Sequence, residues 1–100
     1  MKKPDVVHLF PTYYTVKDTT KQESETYKGK ADYSAREIRV NEDHHLEDQK
    51  AVILHEIVHC LLDMGGILEH DEQIADIMAF GILSMIRGNS DLIKWLEEVK

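Results

Sequence analysis

Ala51-Val-Ile-Leu-His-Glu-Ile-Val-His-Cys-Leu-Leu-Asp63 is an apolar run of helix-favouring residues that carries His55, Glu56 and His59 in the order H-E-x-x-H. Residues four apart on a helix lie one turn above each other, so His55 and His59 present their imidazoles on one face. Two neutral imidazoles so placed can share one Zn2+ at bond lengths of about 2.0–2.1 Å. Glu56 projects roughly 100° around the helix from His55, near enough to act as a base toward a water molecule without itself holding the ion. Chance alone would put the pattern into a shuffled chain of this composition roughly once in thirty times, so its setting matters. The competing explanation is a surface helix with two solvated histidines. Leu54, Ile57, Val58, Leu61 and Leu62 oppose it, because they predict a partly buried helix whose polar groups need partners.

The chain has 100 residues, enough for one domain with a modest core. Apolar residues make up 42% and charged residues 31%, the balance of a soluble globular protein. A formal charge of −7, with no basic tract gathering the twelve Lys and Arg, argues against a nucleic-acid or anionic-membrane partner. Lys2 and Lys3 are followed by no apolar segment, so no signal peptide is expected. No membrane-length apolar run occurs; Ile74–Ile86 is broken by Asp76 and Ser84. A single cysteine, Cys60, rules out an internal disulfide. Together these predict a cytoplasmic protein.

Outward from the motif, Asn41–His45 is a polar connector with cap-forming residues, leading into a helix over Leu46–Met64 that Gly65-Gly66 ends. A second helix is predicted over Glu69–Arg87, with Ile74, Met78, Ile82 and Met85 at helical spacing. Gly81 inside it suggests close approach of another helix. Ser90 can cap a last short helix over 91–98, whose Leu92, Trp95, Leu96 and Val99 form an apolar stripe that either packs into the core or faces a partner, with packing favoured. Before the motif, Val6–Phe10, Thr12–Lys17, Tyr27–Tyr33 and Glu37–Val40 are predicted strands, with Asp18–Thr26 a polar loop. Ile38 and Val40 alternate with Glu37 and Arg39, the period of a strand with one wet face. The predicted architecture is α+β: a short antiparallel sheet of three or four strands packed on two or three helices, in a single minimal zincin-like domain over residues 1–100.

A catalytic zinc site commonly has three protein ligands. The metzincin pattern asks for glycine and histidine where this chain has Leu62 and Gly65, which excludes that class. Asp63, His70, Asp71, Glu72 and Asp76 remain as candidates. Asp63 lies one turn beyond His59 on the same helix, and three ligands in a row along one helix do not close a tetrahedron. His70 and Asp71 fall where N-terminal caps are expected. Glu72 and Asp76 are four apart on one face of the next helix, polar among apolar neighbours. Across a short glycine-containing turn that face can look back at His55 and His59. Glu72 is then the favoured third ligand, leaving Asp76 to accept an N–H from a ligating histidine and set its tautomer. His70 and Asp76 stay open as alternatives to Glu72.

H-E-x-x-H on one helix and E-x-x-x-D on the next resembles the gluzincin arrangement. More closely, the chain resembles the small, mostly phage- or prophage-encoded members of the ImmA/IrrE metallopeptidase group. The resemblance rests on Arg36-Glu-Ile-Arg-Val-Asn41 at the end of a hairpin, Leu54-His-Glu-Ile-Val-His59, and Glu72-Gln-Ile-Ala-Asp76 leading to Ala79-Phe-Gly81, and covers roughly residues 27–87. It implies a zinc-dependent endopeptidase core with His55, His59 and Glu72 as ligands and Glu56 as general base. It also implies a protein or peptide substrate, with a regulator encoded nearby as a candidate.

A peptide substrate is expected to pair with an exposed strand, for which Glu37–Val40 is the candidate. Tyr13, Tyr14, Tyr27, Tyr33, His44, His45 and His70 are candidates for stabilising an oxyanion. Cys60 points to a different helix face from His59 and is expected to behave as a small buried hydrophobe. A second hypothesis is a non-catalytic phage accessory protein, stabilised by metal and binding a protein partner. The intact Glu56 opposes it, since a structural site needs no base.

Overall fold

The computed structural model describes residues 2–99, apart from the side chain of Ser24. The chain runs β1 (Val6–Leu9), β2 (Thr12–Asp18), α1 (Lys21–Ser24), β3 (Gly29–Asp32), β4 (Glu37–Val40), α2 (Leu46–Met64), α3 (Glu72–Gly88) and α4 (Ser90–Glu97). The α+β class is as expected, and the H-E-x-x-H residues sit on α2, the first long helix.

The sheet has the order β1-β2-β4-β3 and is mixed. β1 with β2 and β3 with β4 are antiparallel, but β2 and β4 run parallel, which corrects the all-antiparallel expectation. Hydrophobicity accounts for the insertion of β4 between β2 and β3. Ile38 and Val40 are fully buried, so the strand that carries them belongs in the middle of the sheet. β3, with Lys30 and Asp32, tolerates an edge, where charged side chains also discourage pairing with another chain. The stretch from Thr19 to Lys28, which covers most of the loop expected over Asp18–Thr26 and the first two residues of the strand expected from Tyr27, carries the return from β2 to β3. It contains α1, whose start is a capping box between Thr20 and Glu23.

On the outer face of the sheet, Glu37 pairs with Lys17 at 2.8 Å and with Arg39 at 3.1 Å, and Arg39 also reaches Glu23 at 2.8 Å. On the inner face, Tyr14, Val16, Ile38 and Val40 meet Ile53 and Cys60 of α2, with Ile57 packed against them. α2 starts without a side-chain cap on His45, contrary to expectation. Gln49 instead donates to the carbonyls of Glu42 and His44 at 3.3 and 2.8 Å, tying down the connector. At the other end Gly66 adopts φ +86°, the left-handed turn its sequence position calls for.

α3 begins at Glu72, three residues later than expected, because Asp71 caps it by accepting from the N–H groups of Gln73 and Ile74 at 2.8 and 3.2 Å. It lies on α2 through Ala75 and Ala79, its only buried residues. The close approach expected at Gly81 is not found: among the described residues nothing comes within 4 Å of a Cβ placed there. Ile74, Met78 and Met85, at the helical spacing expected, are exposed. The stripe on α4 is likewise exposed, with Trp95 at 67%. α4 packs against α3 and buries none of its own residues. No helix among the described residues is long and apolar enough to cross a membrane.

Gly29 is a point of close approach between β3 and α2. A Cβ there would run into Val52 Cγ1, lie 3.1 Å from the Arg39 carbonyl oxygen and come within 3.6 Å of Glu56 Cγ. Gly29→Ala is therefore expected to destabilise the protein by about 1–3 kcal/mol through overpacking. Gly81→Ala, in open space within a helix, is expected to stabilise it by up to about 1 kcal/mol. Denaturant midpoints of the two variants against wild type check the pair.

Candidate metal centre

α2 divides its polar residues between two neighbours. Gln49, Ile53, Glu56 and Cys60 are all buried residues at helical spacing along α2. Ile53 and Cys60 of that stripe pack against the sheet, and the Glu56 side chain comes up to Gly29 of β3. His55 and His59 face α3. The alanines at 75 and 79 let α3 come close, and Glu72 and Asp76, each three residues before one of them, reach the histidines.

The atoms converge tightly. His55 Nε2 lies 2.7 Å from Glu72 Oε2, and His59 Nε2 lies 3.0 Å from His55 Nε2 and 3.2 Å from Glu72 Oε2. Among the described residues His55, His59 and Glu72 form the one group of three whose ligand atoms all fall within 4.8 Å of one another. Asp63, Asp71, His70 and Asp76 are outside it. A tetrahedral ion with bonds of about 2.0–2.1 Å separates its ligands by roughly 3.3 Å, and the spacings found are slightly tighter than that. Asp76 Oδ1 accepts from His55 Nδ1 at 2.7 Å, on the far side of the ring from Glu72. That is the placement expected of a residue that orients a ligand.

Electrostatics agrees with this division. Burial lowers the pKa of His55, but the bonds to Glu72 and Asp76 outweigh it and hold the group above its ordinary value. Glu72 is largely exposed; the small rise from burial is overcome by its bonds to His55 and His59, which hold its carboxyl below the usual range. Glu56 behaves differently. Burial pushes it up to about 7, His55 pulling it back and Glu72 adding to the rise. Its Oε2 is buried and meets no donor among the described residues. A carboxylate oxygen of that kind must find its donor outside the protein, which suits a base directed at a water molecule.

Beside these residues runs an open groove of about 930 Å³, bounded by Lys28, Gly29, Lys30 and Ala31 on one side and by Glu72, Asp76 and Phe80 on the other. β4 does not border it. The strand expected to receive a peptide is interior, paired on both sides, and β3 is the edge strand instead. Of the residues considered for an oxyanion, Tyr27, Tyr33, His44 and His70 line the groove. Tyr14 is in the core, and neither Tyr13 nor His45 borders the groove. Tyr33 is pushed up to about 12, by burial first and then by the charges of Cys60 and Glu56, so its hydroxyl stays protonated and able to donate. Cys60 is buried and also raised to about 12, chiefly by burial, which leaves it an inert thiol.

Residues 10–79 match the model of a peptidase family described as the IrrE N-terminal-like domain. The chain belongs to this family. The match starts earlier than the resemblance seen in the sequence, taking in β2, and ends before Phe80. No curated protein and no solved structure matches the chain. Membership makes it a metallopeptidase-like domain, and the cluster of His55, His59 and Glu72 supplies the side chains of a metal site.

The raised pKa of Glu56 has a consequence for the metal-free protein. Its folded-state value lies above the ordinary carboxyl value, so folding favours the protonated form. The contribution of Glu56 to stability is therefore complete below about pH 4.5 and is lost as pH rises through about 7. Glu56→Gln, which stays neutral, should match wild type near pH 4.5 and exceed it by about 2–3 kcal/mol above pH 7.5. Thermal or urea melts of chelator-treated protein at the two pH values measure the difference.

Proposed function

We propose that the chain is a zinc-dependent peptidase that hydrolyses a peptide bond in a specific protein substrate. His55, His59 and Glu72 would hold the ion, Asp76 would orient His55, and Glu56 would be the general base. The observation that carries this is the orphaned, buried Glu56 Oε2 beside three converging ligand atoms. A metal held only for stability has no use for a buried carboxylate that lacks a donor. For the same reason the peptidase is preferred over a non-catalytic accessory protein that binds a partner.

Two imidazoles and a carboxylate suit zinc among the divalent ions. Zinc when bound lowers the pKa of water toward about 7 and polarises a carbonyl oxygen. The chain's own residues do the rest. β3 offers one free edge of the sheet, the one beside the groove, to an extended peptide whose backbone can pair with it. Glu56, close to neutral pH in its burial, can take a proton from water and return it to the leaving amide nitrogen. Tyr33, at the same groove, offers a donor to the developing negative charge. The exposed carboxyl of Glu72 leaves the site open to solvent and substrate.

Protein purified without added metal is expected to carry about one zinc per chain, and alanine at His55 or His59 to abolish uptake. Glu72→Ala should weaken affinity strongly, whereas Glu56→Gln should keep the metal and lose activity. The assay compares wild type with Glu56→Gln on proteins of the native host, reading new N-termini by mass spectrometry. Cleavage sites seen only with wild type support a peptidase, with one cognate protein cut far faster than unfolded proteins in general. Identical fragments at full zinc occupancy would replace it with the accessory protein.

A further inference from the structure

His59 makes a contact that no metal ligation explains. Its Nδ1 lies 2.7 Å from Nδ1 of His70, and the Nε2 of His70 lies 2.6 Å from the carbonyl oxygen of Ile67. A carbonyl oxygen only accepts, so His70 Nε2 must carry the hydrogen. In neutral imidazole the other nitrogen is then a bare acceptor. His59 Nδ1 must therefore be the donor in the contact between the two rings, which lie nearly parallel at 18° with centroids 4.9 Å apart. His59 is 6% exposed, so bulk water is a poor substitute for this partner.

We infer that His70 is a positioning residue for the metal site, accepting the Nδ1–H of His59 and so keeping the Nε2 lone pair of His59 free for the ion. The assignment rests on the metal site proposed above and supplies the half that Asp76 does not reach. Asp76 takes the proton of His55 Nδ1 and His70 takes that of His59 Nδ1, leaving both Nε2 atoms bare, 3.0 Å apart and facing Glu72. Three acceptors with no hydrogen between them repel one another unless a cation lies among them. Without His70 the proton of His59 can move to Nε2, where it would occupy the direction the metal needs. The turn between α2 and α3 holds the device: Gly66, at φ +86°, begins the short stretch that brings the Ile67 carbonyl to Nε2 of His70.

Two measurements on the full chain test it. In the first, the imidazole nitrogens of metal-free protein are followed by 15N-correlated NMR at about pH 8, where histidine is neutral. His59 is expected to carry its hydrogen on Nδ1 in wild type and to shift toward Nε2 in His70→Ala. In the second, zinc affinity is measured by competition with a chromophoric chelator. His70→Ala should lose about 10–100-fold, and His70→Asn, whose Oδ1 replaces the Nδ1 acceptor, should recover most of it at equal thermal stability. His70→Leu serves in place of Ala if the smaller side chain melts early. Hydrogen on Nε2 of His59 in wild type, or affinity of His70→Ala and His70→Leu within twofold of wild type, would overturn the inference. Failure of wild type to take up zinc would overturn the metal site itself, and the NMR result would still decide where the proton sits.

Discussion

The contact of α3 on α2 through two alanines is the constraint on which the site depends. Ala75 and Ala79 are the only residues of α3 that are buried, and their small side chains set how near the two helices come. At that distance Glu72 and Asp76, which flank Ala75 along the helix, meet both imidazoles at hydrogen-bonding range. A larger residue at either alanine would push α3 outward and open the triangle of ligand atoms, because close-packed interiors pass such displacements on. Helix packing and metal-site geometry are here one quantity.

The second constraint is the surroundings of Glu56. The same helix that sends two histidines to α3 sends this carboxylate toward the sheet, where β3 closes over it. Gly29 makes that closure possible, since a side chain at this point would meet Val52 and the Arg39 backbone. Burial then raises the carboxyl group toward neutral pH and removes its donors. The residue is thus made expensive to keep in the metal-free fold and well matched to proton transfer, a common combination in sites where function opposes stability.

Beyond the site, the molecule spends little of its apolar surface on a core. α2 and the sheet are packed together, while the outer faces of α3 and α4 leave Ile74, Ile77, Phe80, Trp95 and Leu96 largely exposed. Helical periodicity in those segments was real, since both helices form, but periodicity tells which residues share a face and not what covers that face. The family match stops at residue 79, so the end of α3 and all of α4 lie past the part of the chain the family defines.

The sequence by itself determined the α+β class and the helix that carries His55, Glu56 and His59, and it favoured Glu72 and Asp76 among five candidates while leaving the third position open. These were legible because helical spacing of three and four is local geometry, and because an acid pair amid apolar residues needs a partner. Only the tertiary structure decided the rest. It placed β4 inside the sheet and parallel to β2, making β3 the edge beside the groove. It left Gly81 in open space and gave the close-approach role to Gly29, in a strand whose sequence does not mark it. It also put His70 against His59, although the two belong to different segments and share no spacing rule. Strand order, helix approach and contacts across a turn depend on how distant surfaces fit together, and that is settled by packing rather than by any local pattern of residues.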